Sequence, residues 1–263
     1  MPVMTDYPPG TPCWADLSTP DMRVSAAFYG ALFGWELHTP PGNGGYAFFR
    51  LAGASAGEPP AVVAGLMPLA GEEQPPSWNT YVSVPDADAT AALVAGAGGQ
   101  VLVPPVDVPG QGRMAMFADD QGAGIAAWEP QAFRGAGLVN EPGSVCWNEL
   151  ACRDTAAAGR FYGRVFGWQA DSSQMGPMTY TEWRLGGRPV GGMVHMDEDW
   201  PEGIPPHWMV HFAVADCDAA ARRAGELGGR LRVPPTDVPP GRFAVVGDPH
   251  GAAFTIIRLT PAG

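Results

Sequence analysis

Apolar and polar positions along the chain change period every few residues, and the changes recur. Residues 13–18 alternate with period two, which predicts a strand with one face buried. Asp21 then stands where a helix N-cap belongs, and Phe28, Tyr29, Leu32 and Phe33 share one face of the helix it opens. Gly34 occupies the C-terminal stop. Residues 146–151, Asp154, Phe161, Tyr162, Val165, Phe166 and Gly167 repeat this order 133 residues later. Ten of the 24 aligned positions between 12–35 and 145–168 are identical, where ordinary residue usage gives about one or two. The chain is an internal duplication.

Each half continues in the same way. Short strands are expected at 36–39, 46–51 and 61–67, parted by Pro40-Pro41-Gly42-Asn43-Gly44-Gly45 and by a Gly/Ala/Pro loop at 52–60. Residues 78–84 alternate again, Asp86-Ala87-Asp88 caps an Ala-rich helix ending at Gly98-Gly99, and strands near 100–103, 112–117 and 124–129 complete the half. In the second half 208–214 is the strand, Asp216-Cys217-Asp218 the cap, Gly228-Gly229 the stop and 253–259 the last strand. The fold class is α+β: two tandem domains, each built from two strand–helix–three-strand modules that form a cupped sheet with helices outside. The first domain is placed at 10–130, a linker at 131–143 and the second domain at 144–260.

Composition narrows the chemistry. The net charge is −12, and all 15 basic residues are arginine. Nucleic acid is therefore excluded as a partner, since phosphate backbones need a basic surface, and no lysine is present for Schiff-base catalysis. No apolar run approaches the roughly 20 residues of a membrane span, and Met1–Pro9 lacks the pattern of a signal peptide. These features predict a cytoplasmic protein that does not engage membranes, a monomer or homodimer. The four cysteines show no CxxC spacing and are expected to be free.

The Phe-Tyr-x-x-x-Phe-Gly-Trp helix ends, the Val-x-Asp-x-Asp openings and Asp248-Pro249-His250-Gly251 resemble the vicinal oxygen chelate superfamily of glyoxalases, bleomycin-resistance proteins and extradiol dioxygenases. More narrowly, the chain resembles tandem glyoxalase-like proteins of actinomycetes. The resemblance spans about 12–130 and 143–259. It implies a cup closed over a divalent ion by His or Gln on first strands and Glu on last strands. The matching positions hold Trp14, Asn79, Trp147, Met209, Ala126 and Thr255, with Leu66/Met67 and Met193/Val194 beside them. A divalent ion needs three or four nitrogen or oxygen ligands, so the expectation is no metal and no cofactor.

Strand alternation instead places Trp147 with Glu149, and Met209 with His211, on one face. Glu149 and His211 are the expected catalytic pair, the carboxylate raising the imidazole pKa toward neutrality. Together with His195 they would make a displaced metal site. The plainer reading of His211 is a hydrogen-bonded histidine in a half-buried strand. The expected ligand contacts are Trp147, Met209, Tyr180, Glu182, His195, Trp200, Arg242 and Thr255 in the second cup, and Trp14, Asp16, Asn79 and Tyr81 in the first. Trp200 sits in a long acidic loop read as a lid. Aromatic walls with a few carboxylates suit a flat aromatic or polycyclic small molecule. The functional reading is a metal-independent small-molecule-binding protein that binds or helps transform an aromatic, polyketide-type metabolite. A metal-dependent lyase or oxygenase and a silent interaction scaffold are the alternatives. Function is expected in the second half, which holds four of the five histidines and the intact Asp248-Pro249-His250-Gly251, against Asp119-Asp120-Gln121-Gly122 in the first.

Overall fold

The computed structural model describes residues 4–42, 44–52, 59–71, 73–175 and 178–260. Asn43 and 53–58, in two of the expected loops, lie outside the described residues. The first half runs β1 (Pro12–Thr19), α1 (Met22–Phe33), β2 (Glu36–His38), β3 (Ala47–Leu51), β4 (Ala61–Pro68), then β5 (Ser77–Ser83), α2 (Ala87–Gly96), β6 (Gln100–Val108), β7 (Gly112–Ala118) and β8 (Gly124–Pro130). The second half repeats it: β9 (Val145–Cys152), α3 (Thr155–Phe166), β10 (Gln169–Met175), β11 (Met178–Leu185), β12 (Arg188–His195), β13 (His207–Ala213), α4 (Cys217–Glu226), β14 (Arg230–Val238), β15 (Gly241–Gly247) and β16 (Ala253–Leu259). Each half is one eight-stranded sheet, in the orders β2-β3-β4-β1-β5-β8-β7-β6 and β10-β11-β12-β9-β13-β16-β15-β14. The α+β architecture of two tandem cupped sheets is as the sequence predicts.

The helix boundaries follow from local chemistry. Asp21 accepts hydrogen bonds from the Arg23 and Val24 N–H groups, and Asp86, Asp154 and Asp216 accept from Ala89, Ala157 and Ala219, satisfying donors that a helix start leaves free. Gly34 and Gly167 end α1 and α3 at φ 75° and 74°, a left-handed conformation that costs glycine little. One element exceeds its predicted bounds. The strand expected near 100–103 runs on through Pro104-Pro105 to Val108, as β14 does through Pro234-Pro235. Both are edge strands, where a missing N–H breaks no ladder, and both shift register on either side of Val103 or Val233.

The two halves exchange their buried faces. One core joins Leu17, Phe28, Tyr29, Phe33, Trp35, Phe49 and Trp78 to Phe212, Val246, Phe254 and Ile256; the other joins Phe161, Tyr162, Phe166, Trp168 and Trp183 to Val82, Phe117 and Ile125. The Tyr29 hydroxyl donates to Asp248 Oδ2 at 3.1 Å and accepts from Trp78 Nε1 at 3.0 Å. Tyr162 does the same with Asp119 Oδ2 and Trp208 Nε1, both at 2.8 Å. Trp35 Nε1 donates to the Gly143 carbonyl and Trp168 Nε1 to that of Gly10, so each half holds the segment entering the other. The aromatic helix ends are therefore seam, not site.

This seam corrects one inference. Asp248 and Asp119 make the same bonds: each carboxylate also accepts from the backbone N–H groups two and four residues on. The change from Pro249 to Asp120 leaves that role intact, so the Asp-Pro-His-Gly motif says nothing about where function resides.

Candidate ligand site in the second cup

Cross-strand pairing fixes which residues share each concave face. In the first sheet Phe48, Gly65, Asp16 and Asn79 form one row, with Trp14, Tyr81 and Ala126 in the next. In the second sheet the rows are Glu182, Gly192, Glu149, Met209 and Trp147, His211, Thr255. Both cups carry a tryptophan–tyrosine–carboxylate relay. Trp14 Nε1 donates to Tyr46 Oη at 2.8 Å and that hydroxyl to Asp16 Oδ2 at 3.0 Å. Trp147 Nε1 donates to Tyr180 Oη and that hydroxyl to Glu149 Oε2, both at 2.8 Å. Tyr46 and Tyr180 both turn into the cups, because glycine lies beneath them. A Cβ on Gly65 would stand 2.0 Å from the Tyr46 hydroxyl, and one on Gly192 1.9 Å from that of Tyr180. These glycines escaped the sequence reading, although a glycine inside a strand signals a close approach.

The cups differ in what completes the relay. In the first, Tyr81 Oη and Asn79 Nδ2 also donate to Asp16, at 2.8 and 2.9 Å, so the buried carboxylate is fully coordinated. The chain then closes that cup itself. Phe133, from the predicted linker, stands edge-on to Trp14 with centroids 4.9 Å apart and contacts Phe48 and Trp128. Its carbonyl accepts from Trp128 Nε1 at 2.8 Å. Trp14, Asp16 and Tyr81 are 6%, 1% and 3% exposed. The expected first-cup contacts thus meet one another and the chain's own phenylalanine.

In the second cup His211 replaces Tyr81 and Met209 replaces Asn79, so among the described residues Glu149 keeps only the Tyr180 donor. Glu149 Oε1 and His211 Nε2 lie 3.8 Å apart, too far for a hydrogen bond, and His211 Nε2 is buried without a partner among the described residues. Trp147 is half-exposed, and no ring among the described residues covers it as Phe133 covers Trp14. Trp200 and Ile204 pack with Tyr180 on Ala151, Val194 and Met196, so the acidic loop walls one end of this cup. Thr255 lies beside His211 on the neighbouring strand.

Burial sets the electrostatics and reverses the expected assignment. It pushes the Glu149 carboxyl up to about 7, with the Tyr180 hydrogen bond opposing, and pushes His211 down to about 3. The carboxylate does not raise the imidazole, because desolvation dominates across the 3.8 Å gap. His211 is neutral at physiological pH and Glu149 is the group that titrates there. The folded chain holds a carboxyl proton that the unfolded chain releases near its ordinary pKa, so this contribution to stability is complete in acid and lost as the pH rises through about 7. Glu149→Gln keeps an acceptor for Tyr180 and removes the loss. Urea unfolding is expected to give near-equal stability at about pH 4.5 and a gain on the order of 2 kcal/mol for the variant at about pH 8.5. A gain independent of pH would show that Glu149 does not titrate in this way.

Two expected contacts lie elsewhere, and a third is engaged at the rim. Arg242 sits on the outer face with Ala244 and Val246, its guanidinium paired with both oxygens of Asp218 at 2.7 and 2.9 Å and with Asp237 at 3.1 Å. His195 is exposed and, by alternation from Gly192, faces away from Glu149. Glu182 does face the cup, but it is tied to Arg184 at the rim. A displaced site of two histidines and a carboxylate is therefore not assembled. Among the described residues no group of three or more His, Cys, Asp or Glu side chains is arranged to hold a metal ion. With Trp147, Met209 and Thr255 at the ligand positions that the resemblance assigns, the donors do not fit a divalent ion. A surface trough of about 350 Å³ between α1 and α4, and a void of about 20 Å³ behind Trp14, lie outside the second cup. The trough's charged groups, Asp216 and Arg223, already serve as the α4 N-cap and as the partner of Glu226.

This doubled cup defines the class of protein. Family models match both halves: the Glyoxalase/Bleomycin resistance protein/Dioxygenase superfamily over residues 13–126 and the Glyoxalase-like domain over 144–257. The chain belongs to this superfamily, as two glyoxalase-like domains in tandem. Among its relatives it is 40% identical over 263 residues, 99% of each chain, to "Putative glyoxylase CFP32" of Mycobacterium tuberculosis (strain CDC 1551 / Oshkosh). It is 41% identical over 269 residues to "Anthracycline biosynthesis protein DnrV" of Streptomyces peucetius, covering 97% of this chain and 96% of the relative. The crystal structure of the Mn(II)-bound glyoxalase from Novosphingobium aromaticivorans has the same fold, with a TM-score of 0.64 at 17% identity over 95% of this chain and 82% of that one. Among the described residues no helix is long and apolar enough to cross a membrane.

Proposed function

We propose that this protein binds an aromatic, polyketide-type metabolite in its second cup and assists its conversion through proton transfer at Glu149, without a resident metal. The observation that carries this reading is the asymmetry of the cups. The first satisfies both oxygens of its carboxylate and is filled by Phe133, whereas among the described residues the second leaves a carboxyl oxygen and an imidazole nitrogen unmatched beside a half-buried tryptophan. A carboxyl poised near 7 exchanges protons readily with phenolic or enolisable groups, and Trp147 and Trp200 offer apolar faces to a flat molecule. The relatives named for anthracycline biosynthesis fit this ligand class, since anthracyclines are flat, phenolic polycycles.

The test is a fluorescence titration with a hydroxyanthraquinone. Saturable quenching is expected in the wild type. Glu149→Ala and His211→Ala are each expected to weaken it by about tenfold or more, with far-ultraviolet circular dichroism unchanged. No saturable quenching in the wild type would overturn the reading.

A further inference from the structure

The first cup shows what its duplicate is shaped to receive. Phe133 places one aromatic ring between Trp14, Phe48 and Trp128. Sheet register maps these three positions onto Trp147, Glu182 and Ile257. Along this wall the duplicate has exchanged rings for smaller or polar groups: Phe48 for Glu182, Trp128 for Ile257 and Tyr81 for His211. In the second cup two of these wall positions share their rows with Glu149 and His211: Glu182 with Glu149, and Trp147 with His211. Glu149 has an acceptor oxygen free of Tyr180, and His211, 8% exposed, has a nitrogen with no partner among the described residues. At 3.8 Å they are too distant to bond each other, yet their separation is one that a single oxygen about 2.8 Å from each would span.

We propose that the second cup selects a hydroxylated aromatic ring, seated where Phe133 lies in the first cup, whose hydroxyl donates to Glu149 Oε1 and accepts from His211 Nε2–H. The inference rests on the ligand reading above and adds the feature recognised: one hydroxyl on the ring that enters the cup. The pair discriminates, because a ligand lacking the hydroxyl leaves the buried imidazole nitrogen unpaired and the carboxyl oxygen without its donor. Tyr180 and Trp147 then act as positioning residues, holding the Glu149 carboxyl by its other oxygen.

The experiment compares a hydroxyanthraquinone, its hydroxyl away from the quinone oxygens, with its methyl ether, which keeps the ring but cannot donate. Wild-type protein is expected to bind the hydroxy compound about thirtyfold more tightly or better. His211→Phe and Glu149→Gln are each expected to reduce that ratio to about threefold or less, and Arg242→Gln to leave it unchanged. Equal binding of the two compounds by the wild type would overturn this proposal while leaving the ligand reading intact. A ratio that survives in both cup variants would overturn it as well. Failure of both compounds to bind would remove the ligand reading and this inference with it.

Discussion

Phe133→Ala is expected to cost about 2–4 kcal/mol of stability and to be rescued by a small aromatic hydrocarbon. The ring is half-buried against Trp14, Phe48 and Trp128, so its loss forfeits part of the full-burial cost of a phenylalanine truncation. The Phe133 carbonyl, which holds Trp128 Nε1, belongs to the backbone and survives the change. The segment stays pinned by Ala136 N–H to the Cys13 carbonyl and Gly137 N–H to that of Val62. What opens is an aromatic-walled space beside a carboxylate with its donors already in place. An aromatic-walled recess of this kind takes up apolar guests, so toluene should raise the variant's melting temperature by several degrees and leave the wild type unchanged. A loss below about 1 kcal/mol, with no response to toluene, would mean that Phe133 does not close the first cup.

Tyr162→Phe is expected to be at least as damaging, although it removes a single oxygen. That hydroxyl satisfies Asp119 Oδ2 and Trp208 Nε1 at the seam between the halves, and all three residues are buried. Phenylalanine leaves a carboxylate oxygen and an indole N–H desolvated and unpaired, at about 1–3 kcal/mol each. Tyr29→Phe should behave alike through Asp248 and Trp78. Because the two clusters lie in separate cores, the double variant should approach the sum of the single losses. Urea unfolding monitored by tryptophan fluorescence measures this. Losses below about 1 kcal/mol would show that the seam does not depend on these hydroxyls.

The architecture was legible in the sequence because its signals are local. Asp21, Asp86, Asp154 and Asp216 cap helices by contacts two or three residues away, and the left-handed glycines at 34 and 167 stop them. The duplication doubled each signal. What escaped the sequence depends on contacts far along the chain. Phe133 reads as part of a glycine-rich connection, and only the tertiary fold carries its ring to Trp14. Asp248 reads as a family motif, and only the partner half reveals Tyr29 as its purpose. Arg242 was within reach: it precedes Ala244 and Val246 by even steps, which places it on the helix-covered face. The His211 assignment reversed because spacing shows that a carboxylate is near but not how much water both groups have lost.

In the proposed function one cup of the two receives a ligand. Calorimetric titration of the wild-type chain with the hydroxyanthraquinone measures it most directly. About one ligand per chain is expected, with Phe133→Ala adding a second, weaker site and His211→Phe weakening the first. Two equivalent sites in the wild type, or one site indifferent to His211→Phe and Glu149→Ala, would contradict it.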